Sequence, residues 1–181
     1  MRVLTSFDDR APVPWANGAG ETTELVSITD SEALTPHLRP WRLSIARLER
    51  PGPFSALPRM DRTFLPTSEV VLTVDGTARR VPERCPMCFR GEQAVVLTDL
   101  AEPCFAVNLM VVEDARGPEP DADSRRRLSM IGPRQPSPPR LAGQPCFVLT
   151  LDAAPHAPRF QLFELSASEL PRDHLGSVIL H

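Results

Sequence analysis

Pro14-Trp15-Ala16-Asn17-Gly18-Ala19-Gly20-Glu21-Thr22-Thr23-Glu24 decides how this chain is read. Pro, Trp, Asn and two glycines fall within seven residues, and a run with two threonines and a carboxylate follows. Glycines at that density open backbone conformations closed to other residues and let the chain approach a neighbour or a ligand closely. The turn leads into Thr-Thr-Glu-Leu-Val-Ser-Ile, so the stretch reads as a loop feeding a strand.

Working outward, Trp41-Arg42-Leu43-Ser44-Ile45-Ala46 alternates large apolar with polar or small residues, as a strand with two different faces does. Strands are expected near Arg2–Ser6, Thr22–Thr29, Trp41–Leu48, Arg62–Leu65, Val70–Val74 and Thr77–Val81. Further ones are expected near Ala94–Asp99, Phe105–Val112, Phe147–Leu151, Arg159–Glu164 and Ser177–Leu180. Val74-Asp75-Gly76-Thr77 carries the Asp-Gly signal of a tight hairpin. Ser166–Leu170 reads as one short helical turn, and nothing reaches the length of a packed amphipathic helix. The 21 prolines punctuate loops and strand ends, where a missing donor costs little. Many short strands between Pro and Gly turns specify an all-β sandwich or barrel.

A chain of 181 residues can hold one sizeable core or two small barrels sharing an interface. Residues 1–113 read as an N-terminal barrel. Residues 114–145 are rich in Pro, Arg, Asp and Glu around the island Leu128-Ser129-Met130-Ile131, and read as a long loop or linker. Apolar runs resume at Cys146, so 146–181 are expected to complete a second, smaller β unit.

Four more stretches follow the first in order: Gly52-Pro53-Phe54-Ser55, Met60-Asp61-Arg62-Thr63-Phe64, Phe89-Arg90-Gly91-Glu92 and Phe105-Ala106-Val107-Asn108-Leu109-Met110. The ordered set resembles the HutD/Ves family, bacterial proteins associated with histidine utilisation and, in the Ves branch, with environmental stress. That resemblance implies a cupin-type, two-barrel (bicupin) architecture with few or no helices. The chain departs from the family pattern at Ala16, where Lys is common, and at Ala19, which interrupts a glycine triplet. It departs again at Val111-Val112-Glu113-Asp114, where arginines commonly follow at once. If that Lys contacts ligand elsewhere in the family, its absence here would alter specificity or affinity.

Composition removes several classes of chemistry. A net charge of −3 lacks the basic face that nucleic acids and membranes require. All 20 basic residues are Arg, which excludes Schiff-base and lysine-nucleophile mechanisms, and Tyr is absent as a general acid. The N-terminal residues carry no signal-peptide apolar run and no segment reaches the ~18 apolar residues of a membrane span, so a cytoplasmic location is expected. Cys85, Cys88, Cys104 and Cys146 are then free thiols or ligands rather than bridges. Cys85-Pro86-Met87-Cys88, which could be a redox pair or half of a zinc site, is best read as small buried hydrophobes because no helix and no second ligand pair follow. His37, His156, His174 and His181 have no ligand spacing, so the cupin metal pattern is missing and no metal or other cofactor is expected. There is no Gly-x-Ser-x-Gly elbow.

Recognition remains. Arg42 and Ser44 share one face of their strand, and Asn108 and Met110 share one face of theirs. A lone Arg or Asn in an apolar strand needs a partner when buried. Arg42, Arg62 and Asn108 could bind a carboxylate together, Arg supplying a bidentate fork. Asn17, Thr22 and Thr23 would add neutral hydrogen bonds at the rim. Structural alternatives exist for each: Arg42 paired with Glu24 or Glu21, Arg62 held by Asp61 or Glu92, Asn17 in an Asx turn and Trp15 as a core plug. The expected function is metal-independent binding of a small anionic metabolite with a regulatory role. By the family resemblance urocanate or N-formylglutamate is the candidate. A metal-free isomerase or hydrolase using Asp61, Glu24 or Glu92 is the alternative. A third is a partner held by the Pro-rich segment around Pro133–Pro139. A homodimer through an exposed sheet edge is a further expectation.

Overall fold

The computed structural model describes residues 1–113, 129–133, 146–165 and 177–180. Its strands are β1 (Arg2–Ser6), β2 (Val13–Pro14), β3 (Gly20–Val26), β4 (Trp41–Leu48), β5 (Gly52–Pro53), β6 (Met60–Pro66), β7 (Val70–Val74) and β8 (Thr77–Val81). They continue with β9 (Met87–Arg90), β10 (Val95–Leu100), β11 (Cys104–Val112), β12 (Met130–Ile131), β13 (Cys146–Thr150), β14 (Gln161–Leu165) and β15 (Ser177–Leu180). The fold is all-β. A six-stranded sheet in the order β2-β3-β4-β11-β6-β9 lies at its centre. A four-stranded sheet, β5-β10-β7-β8, and a five-stranded sheet, β1-β14-β13-β15-β12, complete it.

Alternation along β4 and β11 explains how one sheet serves two cores. Trp41, Leu43, Ile45, Val107, Leu109 and Val111 point to one face and pack with Phe147, Leu149, Leu162 and Val178 of the five-stranded sheet. Ala46, Leu48, Phe64 and Ala106 point to the other and pack with Leu72, Val74 and Leu97 of the four-stranded sheet. The register Ser44↔Asn108 and Arg42↔Met110 keeps the polar members of the two strands on that second face.

Strand β1 pairs with β14, so the sheet holding the C-terminal strands also contains residues 2–6. Strand β12, from the apolar island, pairs with β15 in the same sheet. The expected helical turn at Ser166–Leu170, Arg125-Arg126-Arg127 and most of the 114–145 stretch lie outside the described residues.

Three local expectations are corrected. The strand expected at Thr22–Thr29 ends at Val26, and a seven-residue helix α1 (Ile28–Leu34) takes over. Ser27 is the reason: its Oγ accepts from Asp30 N at 3.1 Å while Ser27 N donates to the Asp30 carboxylate at 3.1 Å. Those bonds hold the Asp30 carboxyl below its usual range. Met87–Arg90, outside all of the expected strands, is a strand because it pairs with β6 from Asp61↔Arg90 to Phe64↔Met87. Cys88 is exposed and Cys85 half-buried, although both were expected to be buried; Cys104 and Cys146 are buried. Alternation places Cys88 opposite Thr63, on the face away from Phe89.

The Asp75-Gly76 turn joins β7 to β8 with both residues at positive φ, 48° and 80°, as a type I′ hairpin requires. Among the described residues no helix is long and apolar enough to cross a membrane.

Candidate functional site

The second face of the central sheet ends in a cavity of about 830 Å³. Its walls come from the Pro14–Asn17 loop, from β3, β4, β6 and β11, and from the Pro53–Leu57 segment. Val13, Trp15, Pro53, Phe54 and Leu57 supply apolar surface, while Arg10, Arg42, Arg62 and Glu24 supply charge. A size of this order with mostly apolar walls and a few polar groups is that of a small-molecule site.

Gly20 brings the entrance loop close to the sheet. A Cβ at that position would lie 2.1 Å from the Arg47 carbonyl oxygen, so only glycine lets β3 meet β4 there. Asn17 makes the expected Asx turn: its Oδ1 accepts from Ala19 N at 3.0 Å. Its Nδ2 reaches the Pro53 carbonyl at 3.4 Å, tying the entrance loop to the opposite wall. Trp15 is half-buried against the second core, as a core plug would be, and also reaches the cavity. It lines the cavity, donates from Nε1 to Thr22 Oγ1 at 2.7 Å, and meets Phe54 edge-on at 6.2 Å.

Arg62 is the centre of the site. Only 7% of it is exposed, yet it carries a full charge. Its Nε and Nη2 both donate to Asn108 Oδ1, at 2.9 and 2.7 Å. Its guanidinium lies 4.6 Å from the Phe54 ring centroid and 5.4 Å from that of Phe89. No acidic side chain among the described residues pairs with it. The expected alternatives, Asp61 and Glu92, instead surround Arg90. The reason for Asp61 is alternation: as the strand neighbour of Arg62 it points to the other face. Burial, with a smaller contribution from Arg42, pushes the Arg62 pKa down to about 10.

Arg42 differs. Its Nε donates to the Glu24 carboxylate, and Nη1 lies 3.8 Å from Met110 Sδ. Glu24 is therefore an internal counter-ion, and of the three candidate acids it alone lines the cavity.

The structure thus brings Asn17, Thr22, Arg42, Arg62 and Met110 to one cavity. Ser44 and Asn108 are buried on the same face of the sheet. Among the described residues Ser44 Oγ has no hydrogen-bond partner. Thr23 is not part of the site: it pairs with Ile45 on the opposite face of the sheet. Phe54 and Arg10 escaped the sequence reading as site residues. Gly52-Pro53-Phe54-Ser55 was visible as an ordered stretch, but nothing in it showed that the Phe ring lies over a buried arginine. Among the described residues no three His, Cys, Asp or Glu side chains come together as a metal site would need.

The HutD family profile matches residues 8–129, about two thirds of the chain. The chain belongs to the HutD family. It is 39% identical over 105 residues to Protein Ves of Cronobacter sakazakii (strain ATCC BAA-894), the match covering 55% of each protein. The matched region thus spans about half the length of that curated relative. In fold, this HutD-family chain is similar to HutD from Pseudomonas fluorescens SBW25, solved in a formate condition. The TM-score is 0.64 at 21% identity, over 97% of this chain and 91% of that one. It is also similar to a conserved protein of unknown function from Pseudomonas aeruginosa PAO1, with a TM-score of 0.62 at 20% identity. That likeness covers 97% of this chain and 89% of the other.

Proposed function

We propose that this chain binds a small anionic metabolite in the cavity, without a metal, and acts in regulation of histidine utilisation or of a stress response rather than as a catalyst. The observation that carries the reading is Arg62: a buried cation facing a cavity, with a neutral acceptor and, among the described residues, no acid beside it. A charge left in that state is costly, and an entering carboxylate offsets the cost with a charge-assisted bond. Family membership directs attention to the acids of histidine breakdown, so urocanate and N-formylglutamate are the candidates.

The test is a thermal-shift screen of metal-stripped protein against urocanate, N-formylglutamate, histidine, glutamate and formate. A ligand at ~100 times its dissociation constant adds about 2.7 kcal/mol to stability. Stabilisation by one acid, absent in a folded Arg62→Ala variant, supports the reading. No shift with any of the five overturns it.

A further inference from the structure

We propose that the cavity selects acids carrying one negative charge on a flat apolar body, and that Glu24 is the specificity-determining residue that rejects a second charge. This deepens the anion-binding reading, rests on it, and narrows its two candidates to urocanate, since N-formylglutamate carries two carboxylates.

Three arginines line the cavity, and their charges are not equivalent. Arg42 already has the Glu24 carboxylate. Arg10 is exposed, bonds to Thr5 Oγ1 at 3.2 Å and lies within the field of Asp30. Of the three, Arg62 alone is buried and, among the described residues, no acid pairs with it, whereas the charge of Arg10 is screened by solvent, so the interior of the cavity holds one uncompensated positive charge.

The hydrogen bonding of Arg62 sets how that charge is presented. A guanidinium has five N–H donors. Nε–H and one Nη2–H are committed to Asn108 Oδ1. The end-on edge, formed by Nη1 and the second Nη2 hydrogen, is left for one carboxylate in bidentate geometry. Phe54 lies over the same guanidinium and Trp15 stands edge-on to Phe54, so the rest of the ligand meets aromatic and aliphatic wall. A second carboxylate placed toward Arg42 is brought beside the Glu24 carboxylate already bonded to it. Like charges brought together in a partly dry site repel strongly, which is how a binding site rejects a near-isostere.

Titration of trans-cinnamate and trans-4-carboxycinnamate into the protein tests this, since the two differ by one carboxylate on the same flat frame. The wild type is expected to bind cinnamate at least about tenfold more tightly than the dicarboxylate. In Glu24→Gln the fork of Arg42 loses its internal acid. The preference should fall below about threefold there, through tighter binding of the dicarboxylate and little change for cinnamate. Cinnamate binding should be lost in Arg62→Gln, in which the new amide can still bond Asn108.

Equal or tighter binding of the dicarboxylate by the wild type overturns the inference alone, as does a preference that Glu24→Gln leaves unchanged. Failure of both acids to bind, or binding indifferent to Arg62→Gln, overturns the anion-binding reading with it.

Discussion

Arg62 keeps its charge at neutral pH at the expense of the fold. Its pKa is depressed to about 10, so the charged form is disfavoured in the native state relative to the unfolded chain. The resulting penalty, about 3 kcal/mol by order of magnitude, is present below about pH 10 and fades as pH rises through that value. Ligand binding needs the same charge. Acid affinity measured by calorimetry should therefore be level across neutral pH and fall about tenfold per unit above about pH 10. An affinity that declines between pH ~6 and ~8 would assign binding to a histidine instead. Asn108 is the second test at this scale. Asn108→Ala leaves two buried guanidinium donors without an acceptor and should lower urea stability by about 2–3 kcal/mol. A loss under about 0.5 kcal/mol would mean that water replaces the amide without cost. The polar pair was legible in the sequence because Arg and Asn stand out in apolar strands. Its partnering was not, because the contact spans 46 residues and depends on how β6 and β11 register. Thr23 shows the opposite failure: alternation along β3 separates it from Thr22 by one residue and a whole sheet thickness.

Among the elements, β3 is the most sensitive to a small change. Gly20→Ala places a methyl group 2.1 Å from the Arg47 carbonyl, a backbone atom that cannot swing away. The strand must shift, which overpacking precedents put at about 1–3 kcal/mol. The Trp15–Thr22 bond and the Asn17 turn should loosen with it, weakening acid binding as well as the melt. Unchanged binding in a destabilised Gly20→Ala protein would show that the entrance loop contributes no ligand contact. The Gly-rich stretch announced this crowding in advance. Helix α1 was less visible, although Ser27 and Asp30 stand at the spacing of a capping box. Seven residues are too few for an apolar period, and the helix is held from outside: Trp41 donates from Nε1 to Thr35 Oγ1 and from its backbone N to Ser31 Oγ.

For the whole molecule, the decisive arrangement is one central sheet with an apolar core on each face. Neither core can melt while the sheet stays intact, so unfolding is expected as one cooperative transition. Leu149→Ala, in the core remote from the cavity, should cost about 2–5 kcal/mol. The two tryptophans report the two sides, Trp41 from the remote core and Trp15 from the cavity wall. Trp15→Phe and Trp41→Phe versions of the Leu149→Ala protein should each give a single fluorescence transition. Transition shapes showing an intermediate in one version only would separate the cores. The all-β class was readable from turn spacing alone, but the closure of the chain was not. Arg2 pairs with Glu164 across 162 residues, and no local pattern encodes a partner at that distance.

The position of β4 and β11 has a further consequence. Each is flanked by strands on both edges, and its side chains are buried on both faces, whereas β2 and β8 stand at sheet edges. In deuterated solvent the amides of Leu43, Ile45, Val107 and Leu109 can trade their protons only when the entire molecule opens. They form a built-in clock whose slowest ticks measure global stability, while on the rim strand β8 every second amide faces away from β7 and exchanges within its first moments.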